Sequence, residues 1–156
     1  MRQALAGVVA TPLYLEAETA GDLMERNPVS IRDEATVREA ITLLTGKGFK
    51  AVPVINEAGQ PIGVVSRGDI LVHEREQSPG SEAARLDPAL VRDIMTPAVF
   101  SVTPETAAVK VIEEMTAMGV HQLFVMDHDG ILVGLISVFD ILRHLHSPET
   151  TAHPEQ

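Results

Sequence analysis

Apolar positions along this chain follow two rhythms, and the pair of rhythms occurs twice in the same order. Val37, Ala40, Ile41 and Leu44 recur at the spacing of one helix face, and Ala108, Val111, Ile112 and Met115 do the same further on. Thr36 with Glu39 supplies a T-x-x-E capping box for the first helix. Pro104, after Thr103, predicts the start of the second helix. Gly48 and Gly119 predict the helix ends. A short strand precedes each helix, at 29–31 and 99–102. Two more strands follow it, at 51–55 and 62–65 in the first half and 122–126 and 132–136 in the second. Between them lie the turn sequences Asn56-Glu57-Ala58-Gly59 and Asp127-His128-Asp129-Gly130, which predict antiparallel hairpins. Each hairpin leads through Ser66 or Ser137 into a further helix.

The two halves are copies. Shifted by 71 residues, positions 22–73 align with 93–144 without a gap, and 15 of the 52 pairs are identical, Ser66/Ser137 and Asp69/Asp140 among them. Chance alone gives about 4 at ordinary residue frequencies. Each copy is too short to bury a secure core alone, and two copies are too few for an open solenoid. The predicted fold is therefore α+β: two β-α-β-β-α repeats packed with pseudo-twofold symmetry. The expected organisation is an N-terminal extension (1–20), a first repeat (21–76), a linker (77–90) with a short helix near 81–86, a second repeat (91–146) and a frayed tail (147–156).

Composition narrows the chemistry. The chain has no cysteine, which removes disulfides, thiolate metal sites and cysteine nucleophiles. A net charge of -10 disfavours nucleic acid and anionic membranes as partners. No apolar run approaches the roughly 18 residues of a membrane span, and the opening residues match a secretory signal poorly, so the expected location is cytoplasmic. Alternate histidines at 144 and 146 do not share a helix face, His128 sits in a turn, and the carboxylates are dispersed. No metal site and no catalytic constellation is expected.

The informative stretch is Gly63-Val64-Val65-Ser66-Arg67-Gly68-Asp69, with its twin Gly134-Leu135-Ile136-Ser137-Val138-Phe139-Asp140. In each, a buried-type strand delivers Ser and then Asp at the mouth of a helix. One reading is local: Ser-x-x-Asp is a capping box with Asp in place of Glu. The other is a ligand cradle, in which the hydroxyl meets a phosphate oxygen and the carboxylate accepts the hydroxyls of a ribose. Recurrence in the same frame adds weight to the second, and both readings stay open on the residues alone.

As an ensemble, these pieces resemble a tandem pair of CBS domains, the modules named after cystathionine beta-synthase. The resemblance rests on Asp22-Leu23-Met24 with Pro28-Val29-Ser30-Ile31, on Val52-Pro53-Val54-Ile55-Asn56 through Gly59, and on Gly63-Val64-Val65-Ser66 with Asp69-Ile70-Leu71. The second copy answers with Asp93-Ile94-Met95-Thr96-Pro97, Ser101-Val102, Leu123-Phe124-Val125-Met126-Asp127 and Gly134-Leu135-Ile136-Ser137 with Asp140-Ile141-Leu142. It implies a non-catalytic regulatory module with adenosine-type ligands (AMP, ADP, ATP or S-adenosylmethionine) in clefts between the copies, no resident cofactor, a homodimer, and an effector protein. It further implies that Ser66 and Ser137 meet phosphate and Asp69 and Asp140 meet ribose. Val52, Pro53, Leu123 and Phe124 then lie near the base, and Ser30 and Ser101 line the same clefts. The copies differ around these positions. Arg67, with Lys47 and Lys50 nearby, makes the first site basic, whereas the second has Val138, Phe139 and only His121. A charged phosphate is therefore expected to prefer the first cleft. The alternative is a structural or protein-interaction module in which the Ser and Asp pairs serve only as caps.

Overall fold

A computed structural model describes residues 12–76 and 88–147. The predicted 81–86 helix and nearly all of the 147–156 tail lie outside the described residues. In chain order the elements are β1 (Tyr14–Leu15), α1 (Ala20–Leu23), β2 (Glu25–Arg26), β3 (Ile31–Arg32), α2 (Val37–Lys47), β4 (Ala51–Ile55), β5 (Pro61–Ser66) and α3 (Arg67–Glu76). The second half continues with α4 (Val91–Ile94), β6 (Ser101–Val102), α5 (Ala108–Met118), β7 (Gln122–Met126), β8 (Leu132–Ser137), α6 (Val138–Arg143) and β9 (Leu145–His146).

Each repeat is the expected β-α-β-β-α unit. β3 runs parallel to β4, which pairs antiparallel with β5, and β6, β7 and β8 repeat that pattern. The helix stripes do what their spacing requires. Val37, Ala40 and Leu44 are buried on α2, as are Ala108, Val111 and Met115 on α5. Thr36 and Glu39 form the capping box, with the Glu39 N–H donating to Thr36 Oγ1 at 3.1 Å. The second helix starts later than expected, at Ala108, because Pro104 lies in the turn before it and Ala107 offers no capping oxygen. Gly48 and Gly119 close both helices in the left-handed conformation, at φ 74° and 65°.

The sequence did not reveal an exchange between the halves. α1, ahead of the first repeat's strands, packs Ala20 and Leu23 into the second core with Val111, Leu123, Val125 and Ile136. α4, ahead of the second repeat's strands, packs Val91 into the first core with Ala40, Leu44, Val52, Val54 and Val65. The following backbone crosses over too. β2 pairs with β8, with Glu25 opposite Leu135, and Thr96 bridges to Val64 through N–H···O bonds of 2.8 and 2.9 Å. Gly63 and Gly134 stand where these segments cross. A Cβ at Gly63 would lie 2.6 Å from the Thr96 carbonyl oxygen.

The hairpin tips also meet. Leu132 donates its N–H to the Gly59 carbonyl at 3.0 Å. Its counterpart is Pro61, which has no N–H; there, Gln60 Nε2 reaches the Asp129 carbonyl at 3.3 Å. Residues 14–15, in the segment without a repeat partner, form a two-stranded ribbon with β9, closed by His146 Nε2 on Glu16 Oε1 at 2.8 Å.

Candidate functional site

Strand alternation gives each sheet two faces. Val52 and Val54 point into one core, and Leu123 and Val125 into the other. The side chains of Val52 and Leu123, two of the residues expected near the base, thus fill the cores. Pro53 and Phe124 occupy the opposite faces. There, a cavity of about 350 Å³ lies between the repeats, lined by Ala51 and Val64 from one and Ala98, Phe100, His121, Gln122 and Phe124 from the other. Phe124 is 3% exposed and forms part of this wall. Its N–H is held by the Phe100 carbonyl at 2.8 Å. The cavity wall adjoins both Ser–Asp motifs, because Ala51 pairs with Ser66 and Gln122 with Ser137.

The remaining predicted residues take varied places. Ser101 is exposed on β6 opposite Phe124, and Ser30 precedes β3; neither lines this cavity. Arg67 donates Nε to the Phe49 carbonyl at 2.8 Å, and its N–H bonds to the Lys50 carbonyl at 3.0 Å. Its guanidinium is thus anchored at the head of β4, beside Lys50.

Both Ser–Asp pairs close into reciprocal caps. Asp69 Oδ2 accepts the Ser66 N–H at 2.9 Å and the Ser66 hydroxyl at 3.0 Å, while Ser66 Oγ accepts the Asp69 N–H at 3.1 Å. Ser137 and Asp140 repeat the geometry at 2.8, 3.0 and 3.2 Å. The second carboxylate oxygens differ. Asp69 Oδ1 accepts from Thr96 Oγ1 at 3.1 Å, while Asp140 Oδ1 is paired with Arg143 Nη2. A depression of about 280 Å³ opens at Asp69 and is lined also by Val72, His73, Glu76, Asp93 and Ile94. Its acidic wall disfavours phosphate and offers acceptors to hydroxyl groups.

Sequence reasoning missed Ala51, Val64, Ala98, Phe100 and Gln122 on the cavity wall, as well as Thr96 and Arg143. The strand period itself was the available signal for Ala51 and Gln122, which alternate with the core positions. Among the described residues no group of three or more His, Asp or Glu is arranged to hold a metal ion, and no helix is long and apolar enough to cross a membrane.

Comparison with known proteins agrees with this architecture. The CBS domain model matches residues 20–76 and 91–147. The 5'-AMP-activated protein kinase subunit gamma-3 of Bos taurus is 29% identical over 134 residues, covering 85% of this chain and 27% of that protein. The crystal structure of CBSX2 in complex with AMP superposes with a TM-score of 0.67 at 26% identity, covering 81% of this chain and 95% of that one. The cytosolic domain of the Mg2+ channel MgtE in complex with ATP gives 0.65 at 29% identity, covering 83% and 49%. The chain spans only part of the curated relatives it matches, 63% at most among the most similar. The two matched segments, the duplicated β-α-β-β-α units and the reciprocal packing agree: the chain belongs to the CBS domain family, as a tandem pair of CBS domains.

Proposed function

We propose that this chain is a sensor that binds an adenosine-type nucleotide between its repeats and passes occupancy to self-association or to an effector protein, in the cytoplasm. The observation that carries this reading is the cavity of about 350 Å³ between the repeats. It lies within the roughly 300–1,000 Å³ common for small-molecule sites. Its wall supplies two aromatic rings for a base and two polar side chains, His121 and Gln122, beside the Ser137–Asp140 motif. Related folds carrying AMP and ATP support the ligand class. The basic residues Arg67, Lys47 and Lys50 support a phosphate preference for the first cleft, with Ser66 on the phosphate side and Asp69, at its acidic depression, on the ribose side. Exposed Leu71, Phe139 and Leu142 on α3 and α6 support a homodimeric output. Ligand binding drives such an output only if two states of the pair bind the nucleotide with different affinity.

One specific observation favours the rival reading of a structural or interaction module: both Ser–Asp pairs are already satisfied as caps. A thermal-shift series with AMP, ADP, ATP, NAD and S-adenosylmethionine separates the two. A ligand at 100 times its Kd stabilises the folded state by about 2.7 kcal/mol. The expected result is a rise in Tm with at least one adenine nucleotide, lost in Ala98→Phe, which fills the cavity. No shift with any of them overturns the sensor reading. Arg67→Ala is expected to weaken phosphate-bearing ligands more than adenosine, as read by calorimetry.

A further inference from the structure

We infer that Arg143 withholds Asp140 from ligand sugars, so that only the first repeat's Asp69 reads a ribose diol. This rests on the nucleotide reading above and assigns a specificity role to a residue outside the duplicated motif. The two aspartates are sequence twins in identical caps, and each spends one oxygen on its serine. The difference lies in the other oxygen, the only one left to bind a ligand. On Asp140 it is paired with the Arg143 guanidinium one helical turn on, and the carboxylate side chain is only 9% exposed. Arg143 is itself steadied, with its guanidinium carbon 5.1 Å from the Phe139 ring centroid. A sugar hydroxyl would have to displace a charge-assisted bond, roughly twice as strong as a neutral one.

The first repeat lacks this lock. Val72 stands at the position of Arg143 and lines the same depression as Asp69. Among the described residues, the second oxygen of Asp69 accepts from the neutral Thr96 hydroxyl and is paired with no arginine. A ribose hydroxyl can replace that donor one for one, with no charge left unpaired. The acceptors around the depression, Glu76 and Asp93, suit a diol as well. The second cleft is left to select its ligand through Phe100, Phe124, His121 and Gln122, that is, by base and anion.

The test is the ratio of affinities for AMP and 2',3'-dideoxy-AMP, measured by calorimetry in variants that isolate one aspartate at a time. A helix-packing role for Arg143 would not move this ratio. Asp140→Asn, which leaves Asp69, is expected to prefer AMP by about tenfold, and Asp69→Asn is expected to bind both ligands within about twofold. Adding Arg143→Met to Asp69→Asn frees Asp140 and is expected to restore a preference of about fivefold or more. Arg143→Lys keeps a cation there and is expected to leave the Asp69→Asn ratio unchanged. A diol preference already present in Asp69→Asn overturns the inference. So does its absence in Asp69→Asn/Arg143→Met, or loss of all AMP binding in Asp69→Asn. Wild-type protein that binds none of AMP, ADP, ATP, NAD and S-adenosylmethionine overturns the nucleotide reading and this inference together, whereas nucleotide binding without the expected diol preference, or without AMP among the ligands, overturns this inference alone.

Discussion

Asp22 shows how a single carboxylate fixes the entry to an exchanged segment. Its Oδ2 accepts the N–H groups of Glu18 at 2.9 Å and Thr19 at 3.1 Å. These backbone donors, Glu18 first, hold its carboxyl below the usual carboxylate range. The folded pKa is thus depressed relative to the unfolded chain. The stabilisation is present above the unfolded value near 4 and fades as pH falls through the folded value. Urea unfolding between pH 5 and pH 2 is expected to show a loss of stability on acidification that is shallower in Asp22→Asn. Gly63 makes a second point at this scale. Because a Cβ there meets a backbone carbonyl oxygen at 2.6 Å, Gly63→Ala is expected to cost about 1–3 kcal/mol in chemical denaturation. The equivalent change at Gly134 meets the Met24 side chain instead. It is expected to cost a similar amount, because the contacts run back to Met24 Cβ at 3.0 Å, which no rotamer change moves.

Among the elements, helices and hairpins were the legible part. Their periods, caps and turns are local, so Val37, Ala40 and Leu44 could be placed on a face without knowing what they would meet. The central strands fall within a residue of their expected bounds. The short β2 and α1 were not legible, because four helical residues and two extended ones carry no period to detect. They exist through what they pair with in the other half. The same limit explains the site. The Ser–Asp motifs were readable as strings, but the partners that distinguish them, Thr96 and Arg143, depend on which side chains reach the second oxygen. The helix ends give a further prediction. Gly48 and Gly119 have open space around a built Cβ, so only the backbone resists substitution. Each change to Ala is expected to cost about 1–2 kcal/mol, and the two costs are expected to add in thermal unfolding because they act at separate helix ends.

For the whole molecule, the exchange makes a cavity in one half a lesion of the other. Leu23 belongs by sequence to the first repeat but is 1% exposed in the second core. Leu23→Ala is expected to cost about 2–5 kcal/mol. Native-state hydrogen exchange is expected to accelerate first around α5, β7 and β8 rather than around α2, β4 and β5. Faster exchange confined to the first repeat would contradict the packing described.

The borrowed helices also bear on how such a fold can be built from a single repeat. A chain with one copy would have to lend its opening segment to another chain and take one back, making a core that falls apart on dilution. Joining two copies covalently turns that encounter into a first-order step, at an effective concentration in the millimolar range for a short flexible connection. On this view, duplication freed the core from dependence on protein concentration. It also placed two unequal aspartates in one molecule, where each can be tuned without altering the other.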